Sequence, residues 1–269
     1  MDTRGFLVKR AQETRTILCF GIDPDNLKIA PVMGEGATMD MAIPQFFHPI
    51  IEKLIDENAI SAIKPNYAYF AQYGFAGFYA LEDIMQHYRN KVPVILDAKR
   101  GDIGKSSDAY AKEVYDFWGA DAVTISPYMG FDSVAPFLKE DKLAYMLCKT
   151  SNTGSEDFQE LRLKSGAIYE KVAKKAVEWK TGIVVGATDA SIKKIMKITK
   201  GHVPMLIPGI GAQGGDLGMV LKAIKDNAAI HRINASSSIS YAYQKSKDRP
   251  QDAALVEAQK LNAEMRKYL

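Results

Sequence analysis

Residues 94–104 read VILDAKRGDIG. Val94, Ile95 and Leu96 make a short branched apolar run of the kind that forms a buried strand. Charge follows at once, with Asp97, Lys99 and, past a glycine, Asp102. Side chains alternate along a strand, so Asp97 and Lys99, two apart, point to one side. Asp102 lies beyond Gly101, where the chain can turn, and need not share that direction. Two carboxylates and an ammonium at the end of an apolar strand are costly to desolvate unless they neutralise one another. An ion pair that merely closes a strand meets that condition without any chemistry. The rest of the chain decides between the two readings.

Working outward, the same form recurs. Apolar runs rich in Val, Ile and Leu lie at 17–22, 60–63, 93–96, 122–125, 144–148, 182–185, 203–207 and 230–233. Helical spacing fills the intervals: Phe47, Ile50, Ile51, Leu54 and Ile55 behind a first-turn Pro44, then Ile192, Ile195 and Met196, then Leu217, Val220, Leu221 and Ile224. Leu255, Ala258 and Leu261 repeat the pattern near the end, and residues 1–15 read as a short polar helix. Continuously apolar strands alternating with helices are parallel and covered on their outer face. Their number and the chain length predict a single-domain (β/α)8 TIM barrel over residues 1–269, with an open doubly wound sheet as the alternative.

The run ends favour the barrel. They read Asp23, Lys64, Asp97 with Lys99, Ser126, Lys149-Thr150-Ser151, Thr188, Gly209 and Asn234. In a barrel such ends converge on one mouth, where these folds keep their chemistry. Solvation explains each polar end singly, but not lysine near the last inward position of three runs. Two long connections, 24–42 and 152–165, border the same mouth.

Composition narrows the function. The chain has 269 residues, 47% hydrophobic and 25% charged, with a net charge of +3. Its lysines are scattered, so nothing argues for nucleic acid or membrane as partner. Cys19 and Cys148 sit in apolar runs and read as buried thiols. The start, MDTRGFLVKR, carries charge where a signal peptide needs an apolar stretch, so a cytoplasmic chain is expected. His48, His87, His202 and His231 fall on helices or at strand beginnings, and no zinc set or histidine triad can be drawn from them.

PGIGAQGG, residues 208–215, spells G-x-G-x-x-G through Gly209, Gly211 and Gly214. A dinucleotide site would need an acid after the next strand, which instead ends in Asn234. The same physics suits one phosphate: glycines let backbone N–H groups approach an anion, and the loops after strands seven and eight are where barrels hold phosphate. A plain turn is the alternative.

Taken together, ILDAKRGDIG, Asp23 in FGIDPD, Lys64 in IKPNYAYF, Thr150-Ser151-Asn152 and PGIGAQGG resemble the orotidine 5′-phosphate decarboxylase family, and within it the bacterial subgroup with D-A-K-R-x-D-I-G. The resemblance runs from about Ile17 to Tyr243. It implies loss of CO₂ from orotidine 5′-monophosphate to give UMP, without metal or organic cofactor, in a homodimer. It also implies roles. Lys99 protonates the carbanion left at C6, Asp97 faces the departing carboxylate and holds Lys99, and Lys64 links Asp97 to a ribose hydroxyl. Asp102 completes the neighbouring subunit's site. Asp23 binds ribose, Ser151 the pyrimidine amide and Gln213 the phosphate and base edge, with Thr150 and Gly211 among the substrate-binding residues. Ser106 stands where the family usually has threonine. A carbanion without an electron sink needs a fixed positive charge beside it, which a lysine locked among carboxylates supplies.

One position departs. INASSSIS aligns with a family pattern like N-x-S-R-x-I, and Ser237 occupies the place of the phosphate-binding arginine. A hydroxyl there forgoes the bidentate charged fork, a loss on the order of 1.5–3 kcal/mol. Two rival readings stay open: a Mg²⁺-dependent phosphosugar decarboxylase or aldolase on the same D-x-K-x-x-D barrel, and a UMP-binding protein with impaired turnover.

Overall fold

The structure, a computed structural model, describes residues 1–34, 36–187, 191–209 and 217–269. Eight strands form one parallel sheet: β1 Leu18–Ile22, β2 Ala62–Pro65, β3 Ile95–Arg100, β4 Ala122–Ile125, β5 Leu143–Lys149, β6 Gly182–Val185, β7 Met205–Pro208 and β8 Arg232–Ala235. Except for β2 and β3, each pairs with its neighbour in sequence, and β8 returns to β1. The seam between β2 and β3 closes through the bridges Ile63–Val94 and Asn66–Asp97, with the Ile63 N–H donating to the Pro93 carbonyl at 3.0 Å. This is the (β/α)8 TIM barrel, and the open doubly wound sheet is set aside.

The expected runs all become strands, but their ends move. β2, β3 and β8 continue past the expected ends because the polar mouth residues Lys64, Asp97 and Asn234 stay in the strands. The helices used below are α1 Thr3–Thr14, α2 Asn26–Met33, α3 Met39–Asp56, α4 Tyr67–Ala71, α5 Gly74–Tyr88 and α6 Gly104–Lys112. α3 begins five residues before Pro44, since Ala42 and Ile43 are already buried, and so carries Pro44 and Pro49 inside it. A two-stranded hairpin, Arg162–Leu163 with Gly166–Ala167, rises from the long connection after β5.

Inward positions stack in layers. The lower layer holds Cys19, Ala62, Ile95, Ala122, Tyr145 and Leu206, plugged from below by Leu7 of α1. Small and large residues alternate there: a Cβ on Gly182 would lie 2.5 Å from the Tyr145 ring, so glycine is what lets that tyrosine fill the barrel. Arg232 is wholly buried in the same region. Its guanidinium donates to the carbonyls of Leu7, His231 (2.6 Å) and Ala229 (3.0 Å), tying α1 to the barrel floor. Burial lowers its pKa to about 10. Arg232 therefore points away from the mouth and is no substitute for the missing phosphate arginine. Both thiols are free and buried, and burial pushes Cys19 and Cys148 up to about 12. Among the described residues, no helix is long and apolar enough to cross a membrane.

Candidate active site

Two residues further along each strand lies the upper inward layer, and it is polar: Lys64 follows Ala62, Asp97 follows Ile95, Thr124 follows Ala122, and Asn234 follows Arg232. Asp97 is the hub. Its Oδ2 accepts from Lys64 Nζ at 2.9 Å, and its Oδ1 accepts from Lys99 Nζ and Thr124 Oγ1, each at 2.7 Å. Burial alone would raise the Asp97 carboxyl; the charges of Lys64 and then Lys99, with the hydrogen bonds from Lys99 and Thr124, outweigh it and hold the group well below the usual carboxylate range. For Lys64 burial works the other way, and Asp97 and Asp23 overcome it to raise the ammonium above its ordinary value. Lys64 is sealed in, with 4% of its side chain exposed, whereas Lys99 keeps 50% exposed. The first is a fixed structural charge and the second is the amine available to a ligand.

Simple alternation is not what joins Asp97 to Lys99. The β3–β4 register shifts between Leu96 and Arg100, and Lys99 has φ +48°, a left-handed conformation costly for a residue with a Cβ. Its backbone N–H donates to Thr124 Oγ1 at 3.0 Å. Arg100 then regains the ladder opposite Ile125, its guanidinium bidentate on Glu113 (2.9 and 2.5 Å) and stacked over Tyr67. The kink is thus clamped on both sides.

Two connected lobes open from this hub, sharing Lys64, Asp97 and Pro208. A lobe of about 250 Å³ is lined by Lys99, Thr124, Thr150, Ser151, Asn152 and apolar Leu147, Val184 and Leu206. Gln159 fixes its rim, accepting from the Thr150 N–H and donating to Thr150 Oγ1, both at 2.8 Å. The other lobe, about 340 Å³, runs past Asp23, Asn66 and Asn234 to Lys28, Ser236, Ser237, Ser238 and Tyr241. Here Asp23 Oδ1, Asn234 Oδ1 and Ser238 Oγ are buried without a protein hydrogen-bond partner. A Cβ on Gly21 would lie 1.9 Å from Ser236 Oγ, so glycine is required for β1 to pass the serine loop.

Lys64, Asp97, Lys99, Asp23, Thr150, Ser151 and Ser237 all border this cavity. Asp102 and Ser106 do not: the Asp102 carboxylate accepts from the Ile103 N–H at 2.8 Å, and Ser106 is exposed on α6. Gly211 and Gln213, like Thr188, lie outside the described residues. Lys149, counted at the sequence level among the mouth lysines, turns aside. The β5–β6 register shifts between Leu147 and Lys149, and its ammonium pairs with Ser155 Oγ (2.7 Å) and Glu160 (3.1 Å) in a separate pocket. Thr124 takes the inward position that Ser126 was expected to fill. Lys28, on α2, was not anticipated at all. Its ammonium lies 3.4 Å from Asp25 and 4.7 Å from the centre of the Tyr241 ring, beside the serine loop.

A parallel barrel whose mouth presents a half-exposed lysine gripped by a buried carboxylate is an acid–base enzyme of the (β/α)8 class. Comparison with known proteins narrows it. The profile of the orotidine 5′-phosphate decarboxylase / HUMPS family matches residues 16–248. Orotidine 5′-phosphate decarboxylase of Herpetosiphon aurantiacus is 41% identical over 239 residues, covering 86% of each chain. That of Verminephrobacter eiseniae is 42% identical over 241 residues, 84% of this chain and 85% of its own. Among solved structures, Leishmania donovani OMP decarboxylase matches with a TM-score of 0.79 and 33% identity over 99% of both chains. Leishmania donovani UMP synthase matches at 0.80 and 35% identity over 98% of this chain, which spans 57% of that longer one. The chain belongs to the orotidine 5′-phosphate decarboxylase family.

Proposed function

We infer that the chain is a carboxy-lyase that converts orotidine 5′-monophosphate to UMP, with Lys99 as the proton donor. The observation that carries this reading is the Lys64–Asp97–Lys99 hub where the two lobes meet. The smaller lobe, with hydroxyl and amide rims and apolar walls, suits a pyrimidine; the larger, with orphaned acceptors at Asp23 and Asn234, suits ribose hydroxyls. In the reaction the C6–carboxylate bond breaks, CO₂ departs, and the electron pair stays on C6. Lys99 Nζ gives its proton to that carbon and is reprotonated from water. The ammonium stabilises the developing carbanion without reorganising, because Asp97 and Thr124 already fix it.

The phosphate end falls to the serine loop. Ser236, Ser237 and Ser238 offer hydroxyls there, and Lys28 supplies a cation beside them in place of the arginine that Ser237 replaces. Asp102 serves the partner's site in a homodimer. Its position outside this chain's own cavity supports that, as do exposed Ile103, Tyr128, Met129 and Phe131 in the adjoining loops. The phosphosugar alternative gains nothing from the amide and hydroxyl rim around Lys99, and the impaired-binder alternative leaves the strained Lys99 unexplained. The test is CO₂ release from orotidine 5′-monophosphate by the purified chain; UMP binding without release would favour the binder.

A further inference from the structure

Away from the mouth, α3 and α5 pack against each other and carry a second cluster. α3 presents His48 and Glu52, four residues apart, and α5 presents Asp83 and His87 at the same spacing. Residues four apart share a helix face, so the two pairs meet across the helix interface. His87 Nε2 lies 3.4 Å from Glu52 Oε1, and His48 Nε2 lies 2.5 Å from Asp83 Oδ2. The imidazole centroids are 4.6 Å apart, and one ligand atom from each of His48, Glu52 and His87 falls within 4.8 Å of the others. Tetrahedral zinc with bonds of about 2.0–2.2 Å holds its ligand atoms roughly 3.3–3.6 Å apart. One pair is already at that spacing, and rotation of the exposed Glu52 and His87 side chains can bring the remaining distances down to it.

Two separate histidine–carboxylate pairs would also hold the helices together. They leave unexplained the close approach of the two imidazoles, whose centroids lie 4.6 Å apart. The Tyr88 hydroxyl, on a residue 1% exposed, lies 2.8 Å from His48 Nδ1 and aims Nε2 outward. A buried group that orients the non-coordinating nitrogen is the usual support of a histidine ligand. We propose that His48, Glu52 and His87, with Asp83 alongside, bind a zinc-class divalent cation. The ion takes the place of the proton between His48 Nε2 and Asp83, and that proton passes to solvent. The two imidazoles and carboxylates suit Zn²⁺ or Co²⁺ over Mg²⁺. Bound there, the ion clips together the helices that follow β1 and β2, with no part in the mouth chemistry.

The experiment is calorimetric titration of the chelator-stripped full chain with Zn²⁺, repeated with Co²⁺ while following its visible absorption. One ion per chain is expected, with a tetrahedral Co²⁺ spectrum, and a rise in melting temperature that depends on ion concentration. His87→Ala and His48→Ala should each weaken binding at least tenfold, and Glu52→Gln similarly, while circular dichroism confirms that the variants fold. Binding of Zn²⁺ that is absent in the wild type, or unchanged in both histidine variants, overturns the proposal.

Discussion

The backbone N–H of Lys99 is held by the hydroxyl of Thr124 at 3.0 Å, and that same hydroxyl donates to the Asp97 carboxylate that grips the Lys99 ammonium. One threonine therefore fixes both ends of Lys99: its strained main chain and its charge partner. Hydrogen bonds to charged groups contribute about 1.5–3 kcal/mol, so Thr124→Val is expected to lower kcat roughly tenfold to a hundredfold. KM should move little, because Thr124 shapes the donor more than it holds ligand. Steady-state kinetics on orotidine 5′-monophosphate check this, and Thr124→Ser should restore most of the rate.

At the phosphate end, Ser237→Arg restores a charged fork and is expected to tighten UMP binding about tenfold or more. Lys28→Ala should weaken it by a similar factor, with kcat less affected than KM. Calorimetry with UMP reads both. If neither variant alters affinity, the serine loop does not face the phosphate.

The proposal that Asp102 completes the partner's site makes a specific prediction about mixtures. Lys99→Ala and Asp102→Ala homodimers should each be inactive, yet after unfolding and refolding together they should regain about a quarter of wild-type activity, since half the dimers are mixed and carry one intact site. No recovery would place Asp102 in its own chain's chemistry.

His231 links the fold to pH. It is fully buried at the start of β8, its Nδ1 accepts from the Met205 N–H at 3.1 Å, and burial, followed by the charges of Arg232 and Arg4, lowers its pKa from 6.5 to about 3. Between those values the unfolded chain binds a proton that the folded chain refuses. Stability is therefore complete above pH 6.5 and declines as the pH falls towards 3, by up to about 1.4 kcal/mol per unit. Urea midpoints between pH 4.5 and 6.5, compared between wild type and His231→Gln, isolate the imidazole, because the other histidines and the carboxylates are common to both. His231→Gln should flatten the slope.

Much of the mouth was legible in the sequence because a barrel obeys a period of two. Lys64 and Asp97 sit two residues beyond buried Ala62 and Ile95, and parity alone turns them inward. Where the ladder breaks, parity misleads. Lys149 follows a register shift and leaves the site, while Lys99 reaches it through a left-handed residue rather than by alternation. Thr124 was hidden inside an otherwise apolar run, with Ser126 drawing attention just after it. Lys28 comes from a connection whose course no local pattern fixes. No zinc set could be drawn from the four histidines in sequence: His48 and Glu52, like Asp83 and His87, share a helical spacing, but only the packing of α3 on α5 joins them.

The central claim is that the Lys99 ammonium delivers the proton to C6. Its most direct test is CO₂ release from orotidine 5′-monophosphate by wild type and Lys99→Ala, each with and without EDTA, alongside UMP affinity. Turnover in the wild type is expected to ignore the chelator, and Lys99→Ala is expected to lose roughly a thousandfold or more with UMP still bound. Lys99→Ala turning over at the wild-type rate would contradict it.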